Sequence, residues 1–140
     1  MNPEMNITTF DDLLQAANNQ PDPQRLLFVF TRIDAPPHDA LPQQHAAYAA
    51  GQGGTLTPLA CLDKTPDEAG SFQKLNAEAL QVVPDWSIVF VAAMGGRGSR
   101  PPTSEDAEAP LNKMVEMIKT GRIEGLAPFD TNGDVLMFGP

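Results

Sequence analysis

The stretch Ser87-Ile88-Val89-Phe90-Val91-Ala92-Ala93-Met94, Gly95-Gly96-Arg97-Gly98-Ser99-Arg100-Pro101-Pro102, Thr103-Ser104-Glu105-Asp106 decides the fold class. Its first part is apolar from Ile88 to Met94 without alternation, the mark of a strand covered on both faces. The middle part is rich in glycine, arginine and proline and cannot continue a strand. The last part opens a helix running from Ser104 to about Thr120, with Leu111, Met114, Val115 and Ile118 on one stripe and Gly121 at its end. A buried strand, a glycine loop and a helix in succession point to an α/β domain. Connections of that kind often hold ligands, because backbone N–H groups converge there.

Working outward, Leu26-Leu27-Phe28-Val29-Phe30 is a second all-apolar run and reads as another central strand. Thr9 caps a helix with Asp11 and Asp12 in its first turn and Phe10, Leu13, Leu14 and Ala17 on its apolar side. Gln43 to Ala50 is a short alanine-rich helix before the loop Gly51-Gln52-Gly53-Gly54. Thr57 to Asp63 is a weaker strand, and Pro58 places it at an edge or a strand start. Ser71 caps a helix through Val83, with Phe72, Leu75, Ala79 and Val82 facing inward. Leu126 to Phe138 reads as a hairpin turning at Asp130-Thr131-Asn132-Gly133. Helices alternate with strands, which predicts parallel pairing in mid-sheet and helices on both faces. The expected architecture is a single compact α/β domain over residues 1–140, with a mixed four- to five-stranded sheet and a C-terminal β-hairpin. Met1 to Glu4 reads as upstream or appended sequence before a start at Met5.

The chain has 140 residues, a net charge of −9 and a pI near 4.4. An acidic surface repels phosphate backbones and anionic lipid, so neither nucleic acid nor membrane is an expected partner. The single cysteine, Cys61, excludes an internal disulfide and a cysteine-caged zinc. No leader-like or membrane-spanning run is present, and a cytoplasmic location is expected.

Two of the five arginines, Arg97 and Arg100, fall in the loop after the central strand. With Gly95, Gly96 and Gly98 they make a candidate anion site, because glycines let backbone N–H groups converge and arginine forks match carboxylate or phosphate. The loop lacks the Gly-Lys-Ser/Thr of a phosphate loop and the third glycine of a dinucleotide fingerprint, so no cofactor is expected. Glu105, Asp106 and Glu108 already hold the helix N-terminus and oppose an anion. Ser104 to Ala107 resembles half a capping box, and nothing in the sequence pairs with Ser104. Asp63 and Lys64 end the weaker strand and are expected beside the loop if the strand ends are adjacent. Cys61 is expected to be buried and inert. His38 and His45 lack partners at metal-ligand spacing and read as surface residues. Asp130 to Asp134 imitates the start of a calcium loop, but its continuation is wrong and a hairpin turn explains it.

Several segments together resemble a small proteobacterial family of about this length, over nearly the whole chain. They are Met5 to Leu14, Pro23 to Phe30, Gly51 to Gly54, Cys61 to Glu68 and Pro101 to Ser104. Many members carry the label ribonucleotide reductase subunit alpha. The resemblance implies a self-contained bacterial cytoplasmic domain and transfers no catalytic residue. Reductase catalysis needs several cysteines on a much larger barrel, and this chain has one.

The leading expectation is a binding or regulatory module whose small anionic ligand or acidic protein segment meets Gly95–Arg100. One alternative is a small enzyme with Asp63 as base, Lys64 and Arg97 as charge stabilisers and Cys61 as nucleophile. Another is an adaptor or homo-oligomer built through the C-terminal hairpin, whose edge would otherwise be open.

Overall fold

The computed structural model describes residues 7–36, 38–50, 54–96 and 100–136. In chain order the elements are α1 (Phe10–Asn18), β1 (Gln24–Asp34), α2 (Pro42–Ala49), β2 (Thr55–Lys64), α3 (Pro66–Ala69), α4 (Phe72–Val82), β3 (Ile88–Gly95), α5 (Ser104–Lys119) and β4 (Ala127–Phe129). The strands form one sheet in the order β2-β1-β3-β4. The two all-apolar strands are central, and the Pro58 strand and the hairpin strand are at the edges, as their sequences imply.

Every pairing is antiparallel, so the expected parallel pairing in mid-sheet is corrected. The reason is topological. β1 is antiparallel to both of its neighbours, so β2 and β3 run in the same direction. The helices α3 and α4 make the crossover that alternation demanded, but β1 is inserted between the two strands they connect. Sequence alternation predicts a crossover; it does not say whether its strands touch.

Strand side chains alternate between faces, and each face has its own core. Leu26, Phe28, Phe30, Val89 and Val91 pack with Phe10 and Leu14 of α1, Ala69 of α3, and Leu75 and Ala79 of α4. Leu27, Val29, Ile88 and Phe90 pack with Ala107, Met114 and Ile118 of α5. Both faces are covered, which is why β1 and β3 lack polar alternation. Phe10 organises the first core, with ring centroids 5.8 Å from Phe28 and 5.6 Å from Phe129. The buried Thr31 hydroxyl donates to the Ile88 carbonyl at 2.8 Å.

Two details depart from periodicity. Val82, expected inward, is 67 % exposed, and Val83 packs against the core instead. The short helix α3 was not foreseen; Thr65 and Glu68 form a capping box around Pro66. The first-helix cap at Thr9 is as expected, reciprocated by Asp12.

The C-terminal turn is built as a hairpin turn should be. Asp130 Oδ1 accepts from the N–H groups of Asn132 and Asp134, and Gly133 takes φ +84°. A Cβ on Gly133 would press on the Phe72 ring. The returning residues cover β4: Leu136 N–H donates to Pro128, and Val135 N–H donates to Thr8. Thr9 in turn bridges Asp134. The hairpin's outer edge is therefore closed by the chain's own segment before α1.

Candidate functional site

The register brings the first residues of β1 against the last residues of β2 and β3. Gln24 faces Gly95, Leu26 faces Lys64, and Gly96 N–H donates to the Pro23 carbonyl. The N-terminus of α5 descends onto the same end of the sheet. Arg25 alternates onto the α5 face with Leu27 and Val29, and Asp63, paired with Leu27, lies on that face too.

These placements create a cluster that joins three elements. Arg25 Nε donates to Asp63 Oδ2 at 2.6 Å, its Nη2 to Ser104 Oγ at 2.7 Å, and its Nη1 to the Pro102 carbonyl at 3.4 Å. Ser104 Oγ donates to Asp63 Oδ2 at 2.6 Å. Glu68 Oε1 stands 4.0 Å from Arg25 Nη2. The Arg25 and Asp63 side chains are 11 % and 20 % exposed. Partial burial opposes ionisation of Asp63, but the hydrogen bond from Ser104 and the Arg25 guanidinium outweigh it and hold the carboxyl below the usual carboxylate range.

Beside this cluster lies a groove of about 450 Å³ lined by Met94, Gly95, Gly96, Arg100, Pro101, Pro102 and Asp106. Gly96 is required there, because a Cβ would overlap the Arg100 carbonyl oxygen and crowd Pro101. Pro102 is buried and Arg100 is exposed. Asp106 is held ionised chiefly by the Thr103 N–H and hydroxyl, with a smaller contribution from the Arg100 charge. In the capping box of α5 the Thr103 N–H donates to Asp106 Oδ2 and the Asp106 N–H donates to Thr103 Oγ1, so the cap is Thr103 with Asp106 and not Ser104 with Ala107. Being off the cap, Ser104 is free to bond Arg25 and Asp63, which corrects the expectation that it has no partner.

The candidate residues divide as follows. Gly95, Gly96 and Arg100 line the groove, and Asp63 lies behind it through Arg25. Lys64 alternates to the opposite face, where Nζ pairs with Glu78 Oε1 of α4 at 2.9 Å. It takes no part in the groove. Arg97 and Gly98 lie outside the described residues. Cys61 is exposed, not buried, because an edge strand is covered on one side only; partial desolvation pushes its thiol up, away from a reactive thiolate. His38 and His45 are exposed as expected. Among the described residues no three His, Cys, Asp or Glu side chains are grouped to hold a metal, and no helix is long and apolar enough to cross a membrane.

The described ends of the two glycine-rich loops, Gly54 and Gly95, lie at opposite ends of β1. Gly95 pairs at Gln24, whereas Thr55, next to Gly54, pairs at Asp34. Ten strand residues separate those ends, about 33 Å at the usual rise; residues 51–53 are outside the described set. The far end of β1 carries its own cluster, in which Arg32 holds Asp34 at 2.8 Å and Asp85 at 2.9 Å. Hydrogen bonds to Asp34 and Asp85 push the Arg32 guanidinium further up.

Sequence reasoning missed Arg25 because it sits at the head of an apolar strand and reads as flanking. The available signal was parity: an arginine two residues before Leu27 must share its face. Comparison with family models, with curated proteins and with solved structures finds no match to this chain.

Proposed function

We propose that this protein is a non-catalytic binding or regulatory module of the cytoplasm, and that a small anion or an acidic protein segment docks in the groove between β3 and α5. The observation that carries this reading is the placement of Arg100 on a groove whose rear wall is immobilised by Arg25, Asp63 and Ser104. A wall fixed by charge-assisted hydrogen bonds keeps the groove open without a ligand, so less ordering is required on binding. The same bonding argues against catalysis. Ser104 donates a hydrogen bond to Asp63, and that bond together with the Arg25 guanidinium holds the Asp63 carboxyl below the usual carboxylate range, which makes it a weak base for activating the hydroxyl. Lys64 is tied on the other face, and the Cys61 thiol is pushed up.

Titration with phosphate, nucleotides and dicarboxylates, followed by amide shifts, tests the reading. Shifts are expected at Gly95, Gly96 and Arg100. Replacing Arg100 by Ala should weaken binding by about tenfold or more, the effect of one charge-assisted hydrogen bond. Silence of these amides toward every anion and toward an acidic peptide defeats the proposal.

A further inference from the structure

The groove between β3 and α5 carries charge of both signs. Its lining holds Arg100 and Asp106 together, and the remaining side chains there, Met94, Pro101 and Pro102, are apolar. Its volume of about 450 Å³ falls inside the roughly 300–1,000 Å³ of small-molecule sites.

Neither charge is consumed within the described residues. Arg100 makes no ion pair and no side-chain hydrogen bond among them. Asp106 Oδ2 accepts from the Thr103 N–H, and no described donor reaches Oδ1. The Arg100 charge still contributes to holding Asp106 ionised, so the two lie near enough to act on one small molecule without closing on each other. Arg25, by contrast, is spent on Asp63 and Ser104.

A purely anionic ligand is a poor match for such a groove. It would gain Arg100 but meet Asp106, with Glu105 and Glu108 on the same helix. The α5 N-terminus offers it little, because Glu105 and Asp106 already occupy the first turn. The net charge of −9 repels it further, the more so the more negative it is. A molecule with one negative and one positive group escapes these penalties, because it brings a cation for Asp106 and is neutral overall.

We propose that the ligand of this groove is a small zwitterion, an α-amino acid with an apolar side chain. Its carboxylate accepts from Arg100, its ammonium donates to Asp106 Oδ1, and its side chain lies against Met94 and Pro101. This rests on the binding reading above and narrows its anion to a carboxylate carried by a zwitterion.

Amide-shift titration of the full chain with matched probes is the test. Leucine and phenylalanine supply both charges. Isocaproate and hydrocinnamate supply the carboxylate alone, isoamylamine and phenethylamine the ammonium alone, and succinate and inorganic phosphate are purely anionic. The amino acids should move Gly95, Gly96 and Arg100 at concentrations about tenfold or more below those of their one-charge analogues, the effect of one charge-assisted hydrogen bond. Asp106→Asn keeps an oxygen to accept from Thr103 but removes the charge. It should abolish the preference and strengthen the binding of isocaproate and succinate. Thr103→Ala weakens the same cap without touching the carboxylate, and should leave the preference intact. An Asp106→Asn variant with the parent's preference, a Thr103→Ala variant that loses it, or isocaproate or succinate binding as tightly as leucine would overturn the zwitterion and leave the anion reading standing. Silence toward every probe would overturn both.

Discussion

At the scale of single residues the molecule turns on Arg25. Its guanidinium holds a strand carboxylate, a helix hydroxyl and a loop carbonyl in one plane of donors, a task a lysine ammonium cannot perform. Arg25→Lys should therefore destabilise the fold nearly as much as Arg25→Ala in urea unfolding. Asp63→Asn is expected to cost about 1–2 kcal/mol, the range for one charge-assisted hydrogen bond reduced for partial exposure. The pH dependence has a definite sign. The folded-state pKa of Asp63 lies below its unfolded value, so its contribution is present above the unfolded value and is lost as pH falls through the folded one. The parent should lose stability on acidification below the usual carboxylate range more steeply than Asp63→Asn, and unfolding midpoints from pH 7 down to pH 2 check this. The place of Asp63 at a strand end near the Gly95 loop was legible in the sequence. Its partner Ser104 was not, because a residue next to the real cap imitates a cap.

At the scale of elements α5 shows how far periodicity reaches. Met114 and Ile118 are buried on the predicted stripe, Leu111 and Val115 pack partly against it, and Thr103 with Asp106 completes the cap. The helix runs through Pro110, which removes the N–H that would bond the Asp106 carbonyl. Pro110→Ala should raise stability by about 1–2 kcal/mol, and Thr103→Ala should lower it by about 1 kcal/mol, both read from thermal unfolding. The double variant should depart from the sum of the two effects, since the Thr103 cap and the bond missing at Pro110 share Asp106. α4 shows where periodicity stops. Val82 has the spacing of an inward residue, but it is the last residue of its helix, and the chain leaves helical geometry at Val83, which packs against the core in its place.

At the scale of the whole molecule the sheet is the rigid body. β1 is paired on both sides along most of its length, whereas β4 holds β3 at only Val89 to Val91. Hydrogen exchange should be slowest in Leu26 to Phe30 and faster in Ala127 to Phe129. Equal protection of β1 and β4 would contradict this order.

What the sequence determined by itself was local and periodic: two fully buried strands, four of the five helices, the hairpin turn, the edge position of Pro58 and the loop at Gly95. Such features depend on neighbours within a few residues, where spacing and turn chemistry are decisive. The tertiary structure alone decided the antiparallel order, the pairing of Lys64 with Glu78 and the meeting of Arg25 with its partners. Arg25 bonds Asp63 across 38 residues and Ser104 across 79. Contacts of that range follow from which strands become neighbours, and a strand inserted between two others leaves the local pattern of all three unchanged.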